Sequence, residues 1–325
     1  MTPEAIAEAV AVLRAGGLVA FPTETVYGLG ADASNDEALK KIYAAKGRPR
    51  NHPLIVHLAG FASVAQWAQD VPQAARTLAG RYWPGPLTLI LKRADGVSDL
   101  LTGGQDTIAL RVPSHPVAQA LLAAFGGGIA APSANRYGRV SATTAEHVRS
   151  ELGKAVDYVI DGGACEVGIE STIVDVSGAR PALLRPGSIA AAELEAVLGG
   201  ALAGPGGLSP RVPGSVAKHY SPQTPLMLME ADLLGELAAS MTRQGHKVAV
   251  LARSARRPLL EGLTWVAASN DPAAYAHDLY ASLRALDAAG CSAILVEAPP
   301  LEPAWAAVHD RLTRAAAGAA TPDAT

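Results

Sequence analysis

The sequence predicts an α/β protein in two parts, a larger domain with a mixed or largely parallel sheet and a smaller Rossmann-like domain after it. Three observations carry this. Strand-like apolar runs alternate with Ala-rich helical stretches up to about residue 200. An aperiodic segment rich in Gly and Pro, "GGALAGPGGLSPRVPGSVAKHYSPQTP", then interrupts the pattern over residues 199–225. Beyond it the alternation resumes for roughly 100 residues, enough for a small βαβ-type domain. The expected division is therefore a first domain over 1–200, a linker or lid over 201–225 and a second domain over 226–325.

The opening stretch "MTPEAIAEAVAVLRAGG" has acids in its first turns and apolar residues at helical spacing, which predicts a helix rather than the basic start of a signal peptide. The runs "GLVAFP", "PLIVHL", "LTLILK", "TIALRVP", "GIAAPS", "YVIDGG" and "STIVDV" follow as strands. Between the first two, Ser34 and Glu37 have the spacing of a capping box and Gly47 suits a helix C-terminus, so a helix is expected to end near Lys46. In the second domain "LMLM", a helix at 231–243, "KVAVLA", a helix at 273–289, "AILVEA" and an amphipathic stretch at 303–316 complete the pattern.

Several function classes are disfavoured. A formal charge of −3 argues against a surface coated for nonspecific nucleic-acid binding. No apolar run approaches the roughly 20 residues of a membrane span. Cys165 and Cys291 are the only cysteines and form no CxxC, so two inert, buried thiols in a cytoplasmic protein are expected. "GLGADA" at 28–33 imitates a dinucleotide fingerprint, but no acid lies where a ribose-binding carboxylate should, and no GxxxxGK[ST] occurs.

The chemistry concentrates around cations. Lys40, Lys41, Lys46, Arg48 and Arg50 lie in a stretch without an acid, so an anion is the expected partner. Lys46 alone could simply complement a helix dipole. Arg48, in the loop beyond, presents a rigid donor fork suited to carboxylate or phosphate. Arg111 ends another apolar strand, and a buried arginine needs an anion. His57 closes "PLIVH", where it is either a ligand contact or a satisfied core histidine. "APSAN", residues 131–135, is either an ordinary turn or a source of hydroxyl and amide groups; Ser171 and Thr172 precede a strand, and Arg185 precedes a Pro-Gly turn. Such residues at strand ends suit positioning and charge stabilisation of anionic substrates.

The segments "FPTETVYGLG", "KGRPRNHPLIVHL", "YWPGPLTLIL", "LRVPSHP", "APSAN", "GIESTIVD" and "LLRPGSI", in this order, resemble the YrdC/Sua5 family, and "VPGSVAKHYSPQTPL" with "ILVEAPP…AAVHDRL" resembles its longer Sua5 branch. The resemblance implies a YrdC-like twisted open sheet with a smaller Rossmann-like C-terminal domain. It implies L-threonylcarbamoyladenylate synthesis, a nucleotidyl transfer from ATP with L-threonine and bicarbonate or CO2 that releases pyrophosphate. The product would serve tRNA t6A37 modification through the downstream threonylcarbamoyltransferase machinery, with weak tRNA binding and no membrane.

Carried over by residue, Thr25, His57, Arg111, the Ala131 backbone and Ser171 would hold threonine. Arg48, His52, Thr107, Ser133, Asn135, Ser141, Arg185 and Tyr220 would contact ATP, with Lys46 and Arg48 as catalytic residues. His52 stands where the family often has Asn. Mg2+ would come with ATP, without an assigned protein ligand. The related carbamoyl chemistry of hydrogenase maturation would need zinc-finger and acylphosphatase segments, which this sequence lacks, and a noncatalytic RNA-binding module is the rival of another class. In the linker, Lys218, His219 and Tyr220 suit a segment that docks over an open site.

Overall fold

A computed structural model describes residues 2–207 and 209–318. The chain forms two compact units: residues up to Tyr137 together with Ser141–Ser215, and Gly138–Val140 together with residues from Val216 onward. The break between the units thus lies within the expected linker, and residues 201–207 and 209–215 belong with the first unit.

In the first unit the strands are β1 (Val19–Phe21), β2 (Gly28–Asp32), β3 (Ile55–His57), β4 (Leu87–Lys92), β5 (Thr107–Arg111), β6 (Ile129–Ala130), β7 (Tyr158–Val159), β8 (Thr172–Asp175) and β9 (Ala182–Arg185). They form one sheet in the order β7-β1-β2-β6-β3-β5-β4-β8-β9. The pairs β1–β7, β3–β5 and β4–β8 are parallel and the other five are antiparallel, so the sheet is mixed. β2 and β9 were not among the expected strands. β2 is the "GLGAD" run itself: its glycines lie along a strand, with no room beside Gly30 for a Cβ, rather than at a strand-to-helix phosphate turn.

Side-chain alternation assigns the faces of the central strands. Val56, Leu87, Leu89, Leu91, Ile108, Leu110 and Val174 join the main core under the helices. Ile55, Ile90, Ala109 and Ile173 point the other way and form a small cluster with Val212. By the same alternation His57, Thr107 and Arg111 share the face of that small cluster.

The helix Asp36–Lys46 aims residues at this region. Its N-cap is Asn35 rather than the expected Ser34: the Asn35 side chain accepts from the Glu37 and Ala38 amides, while Ser34 N donates to Asp32. Its C-terminus is closed by Gly47 in the left-handed region, φ 62°, as expected.

The second unit has four parallel strands, β10 (Leu226–Met229), β11 (Val248–Ala252), β12 (Leu263–Ala267) and β13 (Ala293–Glu297), in the order β10-β13-β11-β12. Helices Ala231–Arg243, Pro272–Asp287 and Ala306–Ala316 connect and flank them, giving the expected Rossmann-like arrangement. Edge strand β12 was missed because its residues are mostly partly exposed and its apolar run is broken by Thr264. Among the described residues no helix is long and apolar enough to cross a membrane.

Candidate active site

Parallel pairing of β3 and β5 sets His57 opposite Arg111 in register. Both are buried. The arginine meets an anion, as its burial demands, but that anion belongs to the chain. Glu24, equally buried in the turn after β1, lies 2.7 Å from Arg111 Nη2. Arg111 Nη1 donates to Thr25 Oγ1 at 2.9 Å and its Nε to the Gly85 carbonyl at 3.3 Å. The second carboxylate oxygen of Glu24 accepts from the Ser114 amide. Sequence reasoning missed Glu24, although it sits inside the quoted "TET" beside Thr25.

His57 is held neutral: burial, then the Arg111 charge, depress its pKa to about 3. Its ring meets Phe21 edge to face at 6.2 Å, and its buried Nδ1 has no hydrogen-bond partner among the described residues. The reading of a fully satisfied core histidine therefore does not describe it. The Ala131 amide donates to the Ile55 carbonyl, which fixes "APSAN" against β3.

Lys46 does more than complement the helix dipole. Its ammonium is buried and donates to the carbonyls of Ser133 and Asn135, while its own carbonyl accepts from the Tyr137 amide. Burial and then the neighbouring Arg48 push its pKa well below the usual lysine value. The two signatures "KGRP" and "SAN" are thereby tied into one structure. Asn135 Nδ2 turns to the Arg136 carbonyl. Arg48 donates to the Pro53 carbonyl at 2.8 Å and lies over the Tyr137 ring at 5.7 Å. His52 packs edge-on to the same ring at 5.4 Å, and burial, then Arg48 and Arg211, lower its pKa. The expectation that the whole cation run lacks a local partner needs correcting: Lys40 pairs with Glu37, just upstream of the stretch, and Lys41 donates to the Gly16 carbonyl.

Further candidate residues come from β5, β8, β9 and the segment before β8. Thr107 opens β5 opposite Lys92. Ser171 Oγ lies 2.7 Å from Thr88 Oγ1, and Arg185 donates to the Ser171 carbonyl from Nε and Nη2 and to the Pro213 carbonyl from Nη1. Ser141 donates to Glu170 Oε1 at 2.5 Å, a second buried carboxylate that sequence reasoning had not singled out. Residues 211–213 form a strap on this unit. Gln105 exchanges two hydrogen bonds with the Arg211 backbone, Arg211 Nη2 reaches the Gly103 carbonyl, and Val212 is buried against Ile55, Ile90, Ala109 and Ile173.

Thirteen of the fourteen expected site residues thus belong to the first unit. Tyr220 belongs to the second, where its ring stacks on Tyr280 at 5.8 Å and lies under the Arg311 guanidinium at 5.3 Å. Cys165 is buried, as expected, with its thiol pushed up to about 12 by burial; Cys291 is only half-buried. Fixed, buried guanidinium and hydroxyl groups around a sheet face suit binding of anions and stabilisation of charge.

Two family models match the chain, one described as "Telomere recombination", for the Sua5, YciO and YrdC proteins, over residues 11–187, and one described as "Threonylcarbamoyl-AMP synthase, C-terminal domain" over residues 189–317. A threonylcarbamoyl-AMP synthase of Bacillus subtilis is 40% identical over 96% of this chain and 93% of its own length, and one of Pyrococcus abyssi is 37% identical over 94% and 92%. A putative threonylcarbamoyl-AMP synthase of Mycobacterium tuberculosis is 40% identical over 60% of this chain and 89% of its own length. The crystal structure of P. abyssi Sua5 complexed with L-threonine superposes with a TM-score of 0.89 at 37% identity, covering 97% of this chain and 94% of that one.

Proposed function

The chain belongs to the YrdC/Sua5 family and makes threonylcarbamoyl-AMP, and we propose that it does so by condensing L-threonine, bicarbonate or CO2 and ATP with release of pyrophosphate. The observation that carries the reading is the set of buried cations, Lys46, Arg48, Arg111 and Arg185, gathered in one unit with Thr25, Ser133, Ser141 and Ser171. The groups brought together are anions: the threonine carboxylate that is bound, and the carbamate formed on its amine and the ATP phosphates that react. The carbamate oxygen attacks the α-phosphorus and pyrophosphate leaves.

In this proposal Arg111, Thr25, His57, Ser171 and the Ala131 backbone hold threonine. Arg111 has five N–H donors, so its contacts to Glu24, Thr25 and Gly85 leave capacity for a substrate carboxylate. Arg48, His52, Thr107, Ser133, Asn135, Ser141 and Arg185 take ATP. Arg48 stabilises charge at the transferring phosphate, and Lys46 holds the loop that bears Ser133 and Asn135. Mg2+ enters as ATP's counterion, coordinated mainly by phosphates and water. The strap at 211–213 lies on the face that carries His57 and Arg111, which supports reading the linker as a lid that shields the adenylate from water. We place the reaction in the cytoplasm, where the product would pass to the tRNA-modifying machinery, with weak tRNA binding.

The test is an omission assay for pyrophosphate. Release should require ATP, L-threonine and bicarbonate together; equal release from ATP alone would make this an ATPase and end the proposal.

A further inference from the structure

The buried pair Glu24–Arg111 has a use beyond holding Arg111 in place. A lone buried guanidinium would attract any carboxylate. Paired with a carboxylate at 2.7 Å, both side chains almost fully enclosed, it becomes a net-neutral site with a positive and a negative end. Glu24 cannot turn away, because its other oxygen accepts from the Ser114 amide and its backbone carbonyl accepts from the Val167 amide. Thr25 Oγ1, on the adjoining residue, meets Arg111 Nη1 and the Thr23 hydroxyl, so the positive end is fixed as firmly as the negative one. The other contacts of Arg111 are to neutral acceptors, the Thr25 hydroxyl and the Gly85 carbonyl.

From this geometry we infer that Glu24 is a specificity-determining residue that makes the pocket select a zwitterionic α-amino acid over a simple carboxylate. The inference rests on the proposal that Arg111 receives the threonine carboxylate. A carboxylate arriving at Arg111 meets a guanidinium already neutralised, and in a poorly screened interior it also meets the repulsion of Glu24. A ligand that brings its own ammonium cancels that repulsion. One that lacks it does not. The site thus rejects des-amino hydroxy acids, which share threonine's carboxylate, hydroxyl and methyl group but have no amine to form a carbamate and would only block the site.

The experiment uses the full chain and two probes, L-threonine as substrate and 3-hydroxybutyrate, threonine without its amine, as competitor. With the wild-type protein, 3-hydroxybutyrate should inhibit at least about tenfold more weakly than the KM for threonine would suggest. In Glu24→Gln the threonine KM should rise and the inhibition constant of 3-hydroxybutyrate should fall, while the ATP KM stays within about twofold, because only the former charge balance has changed. Glu24→Asp, which keeps the charge, should restore the wild-type ranking. A general loss of structure would weaken both probes together and could not reverse their order. Equal affinity of the two probes in the wild-type protein overturns the inference without needing any variant to fold, as does an unchanged ratio in Glu24→Gln. If Arg111→Lys leaves the threonine KM untouched, the placing of the carboxylate has failed instead, and the two failures are told apart.

Discussion

The ammonium of Lys46 donates to the carbonyl oxygen of Ser133 across 2.5 Å, joining the end of one helix to a loop 87 residues further along the chain. The same ammonium serves the Asn135 carbonyl. A lysine of this kind acts first as a fastener, and its charge reaches the site through the loop it holds.

Lys46→Met should therefore cost stability as well as activity. Each buried carbonyl left without its donor costs about 1–3 kcal/mol. Urea unfolding should show a loss of that order, together with a weaker grip on ATP. An activity loss with unchanged stability would mean that the ammonium acts on substrate alone.

Arg48→Ala should act mainly on turnover. A fixed guanidinium at a transferring phosphate acts in the transition state, and its removal should lower kcat by about 10²–10³-fold with a smaller change in the threonine KM. A change confined to KM for ATP would reassign Arg48 to ground-state binding.

His57 predicts an acid-side stability slope. Its pKa is about 3 in the folded protein against an ordinary 6.5, so between those values the unfolded chain binds the extra proton. Stability from this group is complete above pH 6.5 and falls as the pH drops toward 3, by up to about 1.4 kcal/mol per unit. Urea midpoints at several pH values should follow this slope, and His57→Gln should flatten it. An equal slope in the variant would assign the effect to other groups.

Gly187 approaches the β8 entry so closely that an added Cβ would stand 2.4 Å from the Thr172 amide nitrogen. Gly187→Ala should destabilise the protein by about 1–3 kcal/mol and displace Ser171 and Thr172. Thermal unfolding measures the first effect, and the threonine KM the second. An unaltered melting temperature would show that the turn yields freely.

The sequence made the first unit legible where periodicity and local chemistry agree. The apolar runs of β3, β4, β5 and β8 are long and flanked by turn residues, and Gly47 marks a helix end without ambiguity. β2 was obscured because its glycines imitate a phosphate loop, and β9 because "ALLR" is short and only half-buried. In the site, Arg48 and Arg111 were legible as cations needing partners. Glu24 was not, since its pairing to Arg111 depends on strand order that spacing alone cannot supply. Likewise the Lys46 contacts cross from one motif to another, and nothing local announces them.

Cys165 should resist alkylation in the native state, because its thiol is buried and raised to about 12, whereas half-buried Cys291 should label first. Mass spectrometry after a short exposure to iodoacetamide distinguishes the two. Rapid native labelling of Cys165 would show that its surroundings open readily.

The strap has a bearing on solubility. Val212 caps Ile55, Ile90, Ala109 and Ile173, so a fragment ending at residue 203, though it carries every strand of the first sheet, would leave that oily patch bare. Such a fragment would be sticky, prone to self-association as its concentration rises, whereas one ending at residue 215 would keep its own stopper. The stretch that reads as idle connector is, in colloidal terms, the protein's built-in detergent.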